Sequence, residues 1–236
     1  MCFYASNSKR ALELGKRYNR KTDNTETANE VVEEQYRVSA FTHPTCPVIT
    51  EKESIESAKW GLIPHWTRDF EEAQKIRKMC LNARAEKVFN LPSFRNPILS
   101  QRCLIPATGY FEFHHREKSV IPYYIFLRHE EIFSFGGIYE RWQNPDTKEI
   151  TQTFTVITVP ANELCAQIHN GGKNPFRMPL IVRPEDEAHW IDNSLKANDI
   201  KQFFQPFDAN KMDAYPISKD FTKKRPDDAS IIEKAA

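Results

Sequence analysis

Short runs of β-branched and aromatic residues recur through the middle of this sequence, and Pro and Gly separate them. Such runs are typical of strands. They lie at 36–40, 48–50, 103–105, 110–113, 123–127, 132–138 and 153–159. Helical patterns do not follow each strand in turn, so the pattern excludes a series of βαβ units. The sequence therefore predicts an α+β fold with a largely antiparallel, curved or barrel-like sheet and flanking helices.

Apolar residues at helical spacing predict several helices around this sheet. The predicted helices are 8–18, 70–79, 161–169, 185–192 and 198–204. Ser8 is a candidate cap of the first, and apolar residues recur every three positions from Phe70 to Met79. Segment 19–34 is polar until Val31, which predicts a solvated loop or a short exposed helix.

Length and charge limit the classes of protein that fit. The 236 residues, 40% of them hydrophobic, can bury one large core, and we expect one domain over 1–220 with a frayed, charge-rich tail over 221–236. With 33 basic and 32 acidic residues the net charge is +1, so any site for a polyanion must be a local patch. We find no export leader, apolar span or interaction motif, and we expect a cytoplasmic monomer.

The cysteines are five in number and scattered, at positions 2, 46, 80, 103 and 165. An odd number without a CxxC pair argues against a disulfide framework, so we expect reduced thiols. His43 and Cys46 lack a second pair of ligands, and we expect neither a metal nor a cofactor. Cys46, Cys80, Cys103 and Cys165 are typical of small buried side chains.

Cys2 differs from the other four because it follows Met1 directly. Removal of Met1 would leave an α-amine, with a pKa of about 7.7–8.0, beside a thiol with a pKa of about 8.5. Such a pair can react with an aldehyde, first as a Schiff base and then as a five-membered thiazolidine. Position alone favours an ordinary cysteine in a mobile terminus, so a chemical role depends on other segments.

Several motifs follow Cys2 in a fixed order. They are WGLIPHW at 60–66, LNARAE at 81–86, RCLIPATGYFEF at 102–113, FGGIYERW at 135–142, TVIT at 155–158, Ile168-His169 and Arg177-Met178-Pro179. This series resembles the SRAP family (SOS response-associated peptidase domain) from Cys2 to about Trp190. The resemblance implies an SRAP-like fold and a DNA-damage-response protein. Such a protein shields abasic sites in single-stranded DNA by a covalent crosslink through the N-terminal cysteine.

The resemblance also implies roles for individual residues. Cys2 is the expected nucleophile, and Asn82, Glu112 and His169 are expected to complete the active site. The expected DNA contacts are Arg84, Arg177, Arg95, Trp60, Trp66 and Thr158. The tryptophans would pack against bases or sugar and the arginines would bind phosphate.

Each active-site residue also has a physical interpretation. Aromatic neighbours of Glu112 should desolvate its carboxylate and raise its pKa, which suits acid/base catalysis. His169, at the end of an apolar-faced helix, could protonate a departing hydroxyl or position the sugar. Asn82 could orient the α-amine or the thiol. Without the resemblance, an exposed strand Glu, a capping or core His and a turn Asn would be the ordinary interpretations.

Three segments depart from the family pattern. Phe3-Tyr4 replaces the usual Gly-Arg, so an arginine beside the nucleophile is missing and an aromatic could stack in its place. The Asn-x-x-Pro expected after the first strand is replaced by SAFTHP at 39–44. Loop 170–176, with two glycines, predicts a flexible bulge that alters the fit to DNA.

Three other activities remain open at this stage. A Schiff base at an abasic site can lead to slow strand cleavage by a lyase reaction. Cys2 activated by His169 could act as a thiol peptidase, limited mainly to self-processing. A non-covalent single-strand binder would keep its affinity in a Cys2→Ala protein.

Overall fold

The computed structural model describes residues 2–22 and 34–235, so most of the polar segment 19–34 lies outside the described residues. The strands are β1 Tyr4–Asn7, β2 Gln35–Ser39, β3 Thr45–Val48, β4 Glu56–Trp60, β5 Asn82–Arg84, β6 Arg102–Ala107, β7 Gly109–Arg116, β8 Ser119–Leu127, β9 Phe133–Gln143, β10 Ile150–Pro160, β11 Arg177–Pro179, β12 Ile181–Val182 and β13 Met212–Pro216. The α-helices are α1 Ala11–Tyr18, α2 Phe70–Met79, α3 Pro97–Ser100, α4 Glu163–Ile168, α5 Glu187–Trp190 and α6 Ala197–Gln202. None of these described helices is both long and apolar enough to cross a membrane.

The strands form two sheets. The first has the order β13-β8-β7-β1-β2, and all its neighbours are antiparallel. The second has the order β12-β9-β10-β4-β3, with β6 added on β9 and with β5 and β11 added on β10. Only the pairs of β10 with β4 and with β5 are parallel among the described strands. The predicted α+β class is confirmed, and the sheets are curved rather than closed into a barrel.

The tail beyond residue 220 is packed, which corrects the prediction of a frayed end. Phe221 and Ile231 are each 1% exposed and belong to a cluster with Phe111 of β7. The amide of Arg37 in β2 donates a hydrogen bond to the carbonyl of Pro226 at 3.1 Å. Because the tail is rich in charged residues, its composition did not indicate that these two apolar side chains anchor it to the first sheet.

Helix ends and faces differ from the sequence pattern in two places. Ser8 does not cap α1, because its hydroxyl hydrogen-bonds Thr108 at 3.3 Å and Glu13 accepts from the helix-capping amide instead. In α2, Phe70 and Met79 are exposed, whereas Ala73 is buried. Steps of three residues drift around a helix of 3.6 residues per turn, so the two ends of the pattern fall on opposite sides.

Candidate active site

Cys2 is positioned by β1, an internal strand of the first sheet. It precedes β1, in which Tyr4 pairs with Phe111 and Ala5 pairs with Tyr110 of β7. Continuing this antiparallel register places Phe3 opposite Glu112. The carboxyl group of Glu112 is close enough to the Cys2 thiol for its charge to act on it. Cys2 is fully buried in the chain that carries Met1.

Asn82 fixes the backbone of Cys2 from the second sheet. It begins β5, whose parallel pairing with β10 sets Asn82 against Val156. Its Nδ2 donates a hydrogen bond of 2.9 Å to the carbonyl oxygen of Cys2. Its Oδ1 is buried and has no hydrogen-bond partner among the described residues. This oxygen can therefore accept a hydrogen bond that none of the described residues donates.

His169 faces Glu112 across the end of α4. Asn162 caps this helix by accepting from the amide of Cys165 at 2.9 Å, and the buried Cys165 and Ile168 hold it against the core. The distance from His169 Nε2 to Glu112 Oε2 is 3.8 Å. His169 Nδ1 lies 2.9 Å from the carbonyl oxygen of Arg177, to which it donates. In the neutral ring the unprotonated nitrogen is therefore Nε2, on the side of the carboxyl.

Burial changes the protonation of all three groups. It raises the pKa of Glu112 to about 7 and lowers the pKa of His169 to about 4. Burial, followed by the negative charge of Glu112, raises the pKa of the Cys2 thiol well above its ordinary value. At neutral pH the imidazole is neutral, the thiol is protonated, and Glu112 exists in both forms. The carboxyl is thus buried with a raised pKa, as predicted, and is not an exposed strand residue.

A cleft of about 270 Å³ opens beside this group. Glu112, His169, Phe3 and Phe113 line it together with the loop residues 171–174. The ring of Phe3 lies 4.9 Å from that of Phe41, which is 56% exposed. Phe41 belongs to the departure at 39–44 and was not singled out from the sequence. Its surface exposure becomes visible only once β2 and the following 3-10 turn are placed.

Arg177 is held by an acidic partner that the sequence did not reveal. Its guanidinium makes two hydrogen bonds to Glu86, at 2.7 and 3.0 Å, and one of 2.6 Å to the carbonyl oxygen of Thr158. The side chain of Thr158 is fully buried and accepts from the same guanidinium at 3.2 Å. Thr158 therefore positions Arg177 instead of facing DNA itself.

Loop 170–176, for which the two glycines predict a flexible bulge, is hydrogen-bonded to the rest of the protein at both ends. The side chain of Asn170 accepts from the amide of His115 at 2.8 Å and donates to its carbonyl at 3.0 Å. At the other end, Arg84 donates a hydrogen bond to Asn174. Arg84 therefore contacts the loop through a neutral partner, and its charge acts on the nearby Glu86.

The two tryptophans have different environments. Trp60 is 1% exposed, stacks on Phe154 with centroids 5.6 Å apart, and donates from Nε1 to the carbonyl of Leu81 at 2.8 Å. Its ring is thus part of the core, which corrects its expected contact with DNA. Trp66 is 42% exposed and Arg95 is also exposed, but neither is among the described residues that line the cleft.

The described part of the chain contains no candidate metal site. Residues 2–22 and 34–235 contain no group of three or more His, Cys, Asp or Glu that could hold a metal ion. His43 Nδ1 instead lies 2.8 Å from the carbonyl oxygen of Trp60. All five cysteines are buried and free.

Comparison with known proteins gives a consistent result. The family model "SOS response associated peptidase (SRAP)" matches residues 1–224. "Abasic site processing protein YoqW" of Bacillus subtilis (strain 168) is 37% identical over 177 residues, which is 74% of each chain. "Abasic site processing protein HMCES" of Gallus gallus is 27% identical over 154 residues, 57% of this chain and 44% of the relative. A crystal structure of a protein from Bacteroides thetaiotaomicron superimposes with a TM-score of 0.96 at 46% identity, covering 100% of both chains.

Proposed function

This chain belongs to the SRAP family, and we propose that it processes abasic sites in single-stranded DNA by a covalent bond through Cys2. The names of its relatives as abasic site processing proteins support this function. The observation that carries it is that Asn82 and Glu112 both act on Cys2, while Glu112 and His169 lie 3.8 Å apart and line one cleft. We propose that the protein acts on DNA inside the cell as a monomer.

The chemistry requires that Met1 leave, because the nitrogen of Cys2 is otherwise an amide. The freed α-amine then attacks the aldehyde carbon of the ring-opened sugar, and loss of one water gives an imine. The thiol adds across the C=N bond, so that a C–S bond forms and the S–H proton ends on nitrogen. The product is a thiazolidine that joins Cys2 to the DNA.

The neighbouring groups supply the proton transfers of this sequence. Glu112, with a pKa of about 7, can protonate the departing hydroxyl and then accept the thiol proton as a carboxylate. His169 presents an unprotonated Nε2 to the carboxyl and can share the proton with it. The Oδ1 of Asn82, which has no hydrogen-bond partner among residues 2–22 and 34–235, is a suitable acceptor for the new α-amine. Phe3, Tyr4, Phe111 and Phe113 give the cleft an apolar part of its lining.

Lyase and peptidase activities are proposed only as minor outcomes. The imine acidifies the sugar proton β to the phosphate leaving group, so that slow elimination can compete with ring closure. A thiol peptidase needs a thiolate beside an imidazolium. The raised pKa of Cys2 and the lowered pKa of His169 oppose that pair. We therefore limit any peptidase action to the removal of Met1.

Intact mass spectrometry with an abasic single-stranded oligonucleotide tests the proposal. Protein that lacks Met1 should gain the oligonucleotide mass less one water, and the adduct should survive a denaturing gel. Cys2→Ala is the matched control and should give no adduct. An equal adduct from Cys2→Ala, or none from the wild type, would overturn the proposal. Cleavage of a peptide in trans would favour the peptidase instead.

A further inference from the structure

Loop 170–176 is held in one place at the edge of the cleft. The side chain of Asn170 forms two hydrogen bonds with the backbone of His115. Gly171 approaches the same residue so closely that a Cβ atom would lie 2.5 Å from the imidazole Cγ. Gly172 has a φ of 83°, in the left-handed region that favours glycine. The chain therefore turns sharply just before Lys173, against a fixed support.

Positive charge is scarce in the lining of the cleft. Among the described residues that line it, Lys173 is the single lysine or arginine. Arg177 is close by, but its charge is paired with Glu86 at 2.7 and 3.0 Å. A strand entering the cleft carries one negative charge per nucleotide, and these charges require cationic partners.

Lys173 is suited to that task by its position. It is exposed and lines the cleft, and it makes no salt bridge within residues 2–22 and 34–235. The next residue, Asn174, accepts a hydrogen bond from Arg84. Arg84, whose charge acts on Glu86, therefore reaches this end of the loop, and Lys173 lines the same cleft as Glu112 and His169.

We propose that Lys173 binds a backbone phosphate of the single strand next to the abasic nucleotide. The ligand is a phosphodiester, and the contact holds the strand without reading its sequence. This inference rests on the proposed function, because it requires that the strand enter the cleft. It assigns the cationic contact in the cleft lining to loop 170–176.

The test separates binding from crosslinking. In a Cys2→Ala background, the affinity for a single-stranded oligonucleotide with a tetrahydrofuran abasic analogue is measured by fluorescence anisotropy from about 50 to about 200 mM salt. Lys173→Gln should weaken binding and reduce the slope of log K against log salt by about 0.7, the value of one single-strand phosphate. Lys173→Arg should retain both. Lys148→Gln, at the far end of β10, is the matched control and should change neither.

Other outcomes overturn the assignment. If Lys173→Gln has the same affinity and the same salt slope as Lys148→Gln, no phosphate contacts Lys173. An absence of binding by the Cys2→Ala parent would lead to the same conclusion. A borohydride-trapped adduct with true abasic DNA that depends on Lys173 would replace the phosphate contact with imine chemistry. If the wild type forms crosslinks normally and Lys173→Gln leaves the salt slope unchanged, only the role of Lys173 is refuted. Loss of crosslinking by the wild type refutes the proposed function.

Discussion

Replacing Glu112 with Gln should stabilise the protein progressively as the pH rises. The carboxyl group is 3% exposed, and burial raises its pKa from 4.5 to about 7 in the folded state. The folded state therefore binds this proton more tightly than the unfolded state does. The resulting stability is fully present below about pH 4.5 and is lost as the pH rises through about 7. Gln cannot ionise and loses nothing over the same interval.

The size of the effect follows from the two pKa values. The interval from 4.5 to about 7 corresponds to about 3 kcal/mol, at about 1.4 kcal/mol per pH unit. The free energy of unfolding of Glu112→Gln, relative to wild type, should increase by that amount between about pH 4 and about pH 8.5. His169 contributes with the opposite sign, because its lowered pKa removes stability as the pH falls from 6.5 to about 4. In the wild type the pH dependences of stability from Glu112 and His169 offset each other from about pH 4.5 to about pH 6.5. In Glu112→Gln only the contribution of His169 remains, so stability should fall as the pH falls over this interval.

Urea unfolding at about one-unit pH steps measures this difference, with the same N-terminus verified by mass spectrometry in both proteins. Glu117→Gln is the control, because Glu117 is exposed on the turn that follows β7. Its difference from wild type should stay constant across the series. Parallel stability curves for wild type and Glu112→Gln would refute the raised pKa and the acid/base role built on it.

Four further substitutions test other parts of the structure. His169→Gln should gain stability relative to wild type as the pH falls from about 6.5 to about 4, measured by urea unfolding, because the buried imidazole resists protonation. Trp60→Ala should lower the free energy of unfolding by roughly 3–5 kcal/mol, whereas Trp66→Ala should change it by about 0.5 kcal/mol or less; equal losses would contradict their different burial. Glu86→Gln should release the charge of Arg177 and steepen the salt dependence of single-strand binding by about 0.7 in slope, measured by anisotropy.

Local pattern was sufficient to predict the strand-rich fold and one wall of the site. The aromatic neighbours of Glu112 alternate along β7, so the raised pKa of the carboxyl followed from a few adjacent residues. The buried face of α4 also followed from its spacing, with Cys165 and Ile168 directed to the core. These features depend on residues that are close together in the sequence, so they could be predicted without knowledge of the tertiary structure.

Features that depend on pairing between distant segments could not be predicted. The Glu86–Arg177 ion pair requires that β5 and β11 both lie on β10, and the sequence does not give that register. The family resemblance implied a DNA contact for Trp60. Tryptophan suits both a core and a stacking surface, and only its placement in β4 decides between them. The packed tail depends on Phe221 reaching a cluster under the first sheet.

The internal position of β1 has a mechanical consequence. Because Cys2 lies at the start of a strand with hydrogen-bonded neighbours on both sides, tension on crosslinked DNA would pull β1 along its own axis. The ladder bonds to β2 and β7 run across that axis, so they would share the load and fail together rather than one after another. A polymerase or helicase that pulls on the strand would therefore meet a protein anchored in shear, through the middle of a sheet.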